Sequence, residues 1–94
     1  MSLKNLVSKY ITSTEQVLEK IDVSEEEISL DKEKIGEVLD YIKAYFQDAK
    51  YYKDKHRFKV SLTSVAYCEG LLDALKLLGA VKFEWLENKE RRER

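Results

Sequence analysis

Asp48 and Asp73 are the carboxylates set in the most aromatic and apolar stretches of this sequence, so they are where acid–base or metal chemistry would be sought. Two carboxylates do that work only when they converge on one point. Tyr45 and Tyr67, each offering a ring and a hydroxyl, could line a small-ligand cleft with Asp73, or simply stack with their hydroxyls at a rim. Around position 55 the cations Lys50, Lys53, Lys55, Arg57 and Lys59 alternate with Tyr51, Tyr52 and His56. Basic residues interleaved with aromatics can grip phosphates and stack bases. A solvated tip between two helices is the plainer reading.

What is missing narrows the chemistry further. There are no hydrolase triads, phosphate-binding glycine loops or His/Cys metal spacings. His56 is the single histidine, and every arginine follows it, which excludes the Arg-then-His order of helical ribonucleases of the HEPN type. Cys68 has no second cysteine to pair with and sits on an apolar helix face, as a buried inert thiol does. The expectation is a non-enzyme with no metal and no cofactor.

The elements that must carry these residues are helical. The chain has 94 residues, no proline and 3 glycines, which favours one all-α domain. Its 17 basic and 18 acidic residues give a net charge of -1, so it lacks the cationic excess of a dedicated nucleic-acid binder. No apolar run reaches the ~20 residues of a membrane span and no signal peptide opens the chain, so a cytoplasmic protein is expected. Few amides and dense Glu and Lys lean towards a thermophilic source.

Helix one is expected over about 3–20, with Leu3, Leu6, Val7, Tyr10, Thr14, Val17 and Ile21 on a core-facing stripe. An acidic linker follows, in which Ser24 and Glu27 have capping-box spacing and suggest a short helical turn. Helix two is expected over about 31–54, with Asp31 near its start as cap and Ile35, Leu39, Ile42, Phe46 and Ala49 on one stripe. Continuing that stripe by sevens lands on Lys53 and His56, which are polar. The apolar stripe resumes on another azimuth at Phe58, Leu62, Val65, Cys68, Leu72 and Leu75. One straight helix cannot bury both, so a turn is placed within 53–57. Helix three then runs over about 58–78, closed by Gly79 in a left-handed cap.

Short connections make neighbouring helices antiparallel, giving an up-and-down three-helix bundle over 1–86 with a short C-terminal extension and a charged tail, 87–94, that should fray. Folding about residue 56 sets Tyr45 level with Tyr67 and Phe46 with Ala66. It also sets Ile42 level with Gly70, and folding about the first linker sets Tyr10 level with Ile42, so the three share a layer in which a neighbour lying on the missing Cβ would account for a glycine inside a helix. Asp48 falls level with Ser64 and Asp73 with Asp40. The two carboxylates therefore stand more than about 10 Å apart along the axis, and each is expected to accept a structural hydrogen bond, Asp73 from Lys43 or a tyrosine. Val81, Phe83, Trp85 and Leu86 alternate as a strand would, but a lone strand has no partner. A segment folded back over the open end of the bundle is expected.

Two motifs carry a resemblance. Asp48-Ala49-Lys50-Tyr51-Tyr52, a polar turn, then Tyr67-Cys68-Glu69-Gly70-Leu71-Leu72-Asp73-Ala74 and a closing Gly79 resemble the short archaeal proteins catalogued as domain of unknown function 357. The likeness covers roughly 3–82. This sequence departs from that pattern in Cys68, where alanine is usual, and in the Lys/His/Arg turn, where Gly-Asp is common. The resemblance implies an up-and-down three-helix bundle from an archaeon and no known activity.

Two functions remain in view. One is a protein-interaction or self-association module, using a helix face together with Phe83, Trp85 and Leu86, whose large apolar area exceeds what three helices need. The other is a nucleotide- or RNA-binding accessory domain using the basic corner.

Overall fold

A computed structural model of the chain describes residues 2–86; the charged tail expected to fray lies outside them. Three helices form: α1 over Leu3–Lys20, α2 over Lys32–Asp54 and α3 over Phe58–Leu77. Among the described residues there is no strand, and 81–86 runs as an irregular segment.

Each start has a local cause. Ser2 accepts a hydrogen bond from the Asn5 amide at 3.1 Å, and Asp31 from the Lys34 amide at 2.9 Å. Both satisfy a donor that the first helical turn leaves orphaned. Ser24 bonds the Glu26 amide at 3.2 Å, which makes a bend and not the helical turn its spacing suggested.

The turn between α2 and α3 falls where the two apolar stripes lose phase. Arg57 donates its amide to the Tyr52 carbonyl at 2.9 Å and His56 to Lys53 at 3.0 Å. That pair of bonds closes a helix through a left-handed residue, here His56 with φ of 60°. The same device ends α3: Ala80 bonds Leu75, Gly79 bonds Lys76, and Gly79 has φ of 75°. Glycine takes that conformation freely, whereas a residue with a Cβ does not.

α2 and α3 pack as an antiparallel pair, with Ile42, Cys68 and Leu75 at the centre and Val38, Leu39, Tyr45, Leu71 and Leu72 around them. Two bonds cross between the helices. Ser61 Oγ donates to the Ala49 carbonyl at 2.7 Å, and Cys68 Sγ to the Ile42 carbonyl at 3.4 Å. Short side chains reach an opposing backbone only when the axes come close, and Ala49, 2% exposed, permits that approach.

α1 behaves differently. Its axis does not pack against α2 or α3, and an irregular linker, 21–31, separates it from α2. The expected layer of Tyr10, Ile42 and Gly70 therefore does not form: Tyr10 is 64% exposed, and a Cβ at Gly70 would meet nothing within 4 Å. The periodicity correctly made α1 an amphipathic helix, but a stripe states that a face needs cover and not what covers it.

The left-handed histidine gives a first prediction. His56→Gly should stabilise the chain by about 1 kcal/mol, because the strain lies in the Cβ and the ring makes only an edge contact with Phe58 at 5.6 Å. Urea unfolding followed by circular dichroism measures it; an unchanged or lower midpoint would show that the turn carries no such strain.

Candidate functional site

The structure brings some of the singled-out residues together and separates others. Tyr45 and Tyr67 meet across the α2–α3 interface, edge to face with centroids 4.7 Å apart. Tyr41 joins them at 5.2 Å from Tyr45 and 6.5 Å from Tyr67. The sequence puts Tyr41 on the same side of helix two as Tyr45, one helical turn before it, but only Tyr45 and Tyr67 were singled out as site candidates. The Tyr41 hydroxyl beside Tyr45, followed by the loss of solvent around the ring, holds the Tyr45 phenol above its ordinary value, with Tyr67 and Asp48 adding to it. The trio is a packed aromatic edge of the hairpin.

Asp73 does not face this cluster. Its Oδ1 accepts a hydrogen bond from the Trp85 indole at 2.9 Å, so the donor is neither Lys43 nor a tyrosine as expected. The segment after Gly79 turns back along α3. Ala80 and Val81 reach the core, and Phe83 lies 5.0 Å from Trp85 with the Lys76 ammonium 4.9 Å over its ring. Lys76 also pairs with Glu84 at 3.7 Å. Phe83 and Trp85 are thus half-buried against their own chain, while Leu86 is 86% exposed. Asp73 serves as the anchor of this segment and Asp48 is exposed; among the described residues no cluster of acids, histidine and cysteine could hold a metal. Cys68 is buried, and desolvation pushes its thiol up, as expected of an inert core cysteine.

The basic corner forms as a hairpin tip. Lys50, Lys53, Lys55, Arg57 and Lys59 are all exposed. Three of them lie over rings of their own chain: Lys50 over Phe46 at 5.5 Å, Lys55 over Tyr51 at 5.5 Å and Arg57 over Tyr52 at 5.1 Å. Tyr51 and Tyr52 also meet edge to face at 5.3 Å. These contacts occupy ring faces that base stacking would need.

Two exposed surfaces among the described residues are apolar, and only part of them was foreseen. On α1, Leu3, Leu6, Val7, Tyr10, Ile11 and Leu18 line one side of a groove of about 750 Å³, with Thr63 of α3 opposite. On α3, Thr63, Ala66, Tyr67, Gly70, Ala74 and Leu77 are exposed along one face. Helical spacing turns Ala66, Gly70 and Leu77 about half a turn from Cys68 and Leu75, which look into α2. Gly70 costs a helix interior about 1 kcal/mol relative to alanine, and nothing within its own chain lies within 4 Å of its Cβ position to account for that cost.

Two measurements check these contacts. Trp85→Phe should lower stability by about 1 kcal/mol, since a hydrogen bond to a half-buried carboxylate is lost, and the loss should shrink in an Asp73→Asn background; equal losses in both backgrounds would remove the indole–carboxylate bond as the cause. The raised Tyr45 phenol predicts a pH effect of definite sign. Its contribution is fully present below the ordinary tyrosine value near 10 and is lost as pH rises through the higher folded value. Absorbance titration of the native chain against Tyr45→Phe should show one late-ionising phenol disappear, and superimposable curves would contradict it.

Comparison with known proteins gives a family. A family model described as "Protein of unknown function (DUF357)" matches residues 9–81, from the first turns of α1 to the start of the returning segment. No curated protein and no solved structure matches the chain. With most of α1, all of α2 and α3, the turn at His56 and the Gly79 closure inside the matched span, the chain belongs to the DUF357 family.

Proposed function

We propose that this protein is a non-enzymatic helical interaction module that associates with itself through apolar helix faces. The observation that carries the reading is its surface. A folded monomer of 11.1 kDa exposes about 5,700 Å²; this chain exposes 8719 Å². Its radius of gyration of 16.0 Å likewise exceeds the roughly 12 Å of a compact chain of this length. Much of the excess is apolar side chain: Leu3, Tyr10, Ile11, Val17 and Leu18 on α1, Leu62 and Leu77 on α3. Most helical stability in proteins comes from tertiary packing of an amphipathic face, and the apolar face of α1 is exposed.

The expected anchors change accordingly. Phe83 and Trp85 already pack on α3, so of the expected anchors only Leu86 stays exposed, and the reading rests on α1 and the open face of α3. A nucleic-acid reading through the basic corner is weaker, because Lys50, Lys55 and Arg57 lie over the chain's own rings and the net charge is -1. A cytoplasmic setting goes with this reading, and no helix among the described residues is long and apolar enough to cross a membrane.

Light scattering after gel filtration tests it. At micromolar concentrations the wild type should have a mass that is a multiple of 11.1 kDa, and Leu6→Asp with Tyr10→Asp should return it to a single chain. A wild type that stays at one chain's mass at every concentration would sink the reading.

A further inference from the structure

The groove beside α1 is apolar along α1 and meets α3 at Thr63, next to the exposed face of that helix. Large side chains line the α1 side, Leu3, Leu6, Val7, Tyr10 and Leu18, whereas the exposed α3 face offers Ala66, Gly70 and Ala74 with no Cβ contact at the glycine. Bulky residues on one helix seat well against small ones on another, because the axes can then approach closely. The chain thus carries both halves of one helix–helix interface, held apart by its own linker.

The area says how many chains are needed. Granting Met1 and 87–94 the full surface of an unfolded chain, about 1,800 Å², the described residues still expose about 1,700 Å² more than a compact domain of their mass. Two copies that each buried this excess would share an interface of about 3,400 Å², within the range of obligate homodimers. Net charge does not oppose the pairing, since each copy brings only -1.

We infer that the occupant of the groove is α1 of a second copy: two chains exchange their first helices, each α1 seating its apolar face on Ala66, Gly70 and Ala74 of the partner. This rests on the self-association reading and specifies its geometry. The exchange is reciprocal, as a twofold interface requires, so one patch pair is used twice. The linker 21–31 has the length for it: its eleven residues, bent at Ser24–Glu26, could span up to about 36 Å when straightened, more than the roughly 27 Å length of the eighteen-residue α1.

A mixed-label experiment on the full chain tests the exchange. Ser13→Cys on the polar side of α1 takes a nitroxide, while Cys68, 3% exposed, stays unlabelled. The unlabelled-isotope, nitroxide-bearing chain is mixed with nitrogen-15 chains that carry no nitroxide. Relaxation broadening of the Thr63–Leu77 amides is expected in the nitrogen-15 chains, where only a neighbouring copy can cause it. Association with broadening confined to other segments would overturn the exchange and leave self-association standing. A single chain's mass, with no broadening between copies, would overturn both. Gly70→Arg supplies an independent arm: nothing lies within 4 Å of its Cβ position, so helicity should be kept while association falls at least tenfold. A Gly70→Arg chain that associates as tightly as the wild type would also overturn the exchange.

Discussion

Two side chains of α3 reach backbone oxygens of α2, and the rest of the molecule depends on the closeness this demands. Ser61 bonds the Ala49 carbonyl and Cys68 the Ile42 carbonyl. Each carbonyl also belongs to a helical ladder, so the crossing bond uses its second lone pair. A serine or cysteine side chain is short, and anything larger than alanine at position 49 would wedge the helices apart. The cross-helix bonds also set the register: with Ile42 opposite Cys68, the rings of Tyr45 and Tyr67 fall edge to face and Leu75 closes the lower end.

That register in turn fixes the fate of the returning segment. Because α3 ends in a left-handed glycine, the chain reverses and Ala80 and Val81 reach the core. Phe83 and Trp85 then lie along α3, with Lys76 over one ring and Asp73 bonded to the other. A carboxylate in an apolar helix looks like a functional group when the sequence is read by itself. Here it is what ties the last described residues to the hairpin.

The sequence made some of this legible and left the rest hidden, for physical reasons. A phase slip between two apolar stripes must be resolved by a turn, so the reversal at His56 could be placed without glycine or proline to mark it. Antiparallel register followed from the turn, and with it the Tyr45–Tyr67 contact and the burial of Cys68. The Asp73–Trp85 bond was out of reach, since it depends on how an irregular segment curls after Gly79. The position of α1 was also out of reach. Hydrophobic periodicity reports that Leu3, Leu6, Val7 and Tyr10 share a face, but a face buried in its own chain and one buried in a neighbour have the same pattern.

The small core gives that ambiguity its weight. Four described residues are buried, Ile42, Ala49, Cys68 and Leu75, and they belong to two helices. A two-helix hairpin excludes little water, and small domains bury the smallest fraction of their surface even when complete. The hairpin therefore gains from a third helix on α3, and α1 gains from any surface that covers its leucines. Closing on itself would meet both needs once, and exchange between copies would meet them twice in one assembly. The concentration of chain decides between these outcomes, because the linker sets the effective concentration of the first and solution sets the second.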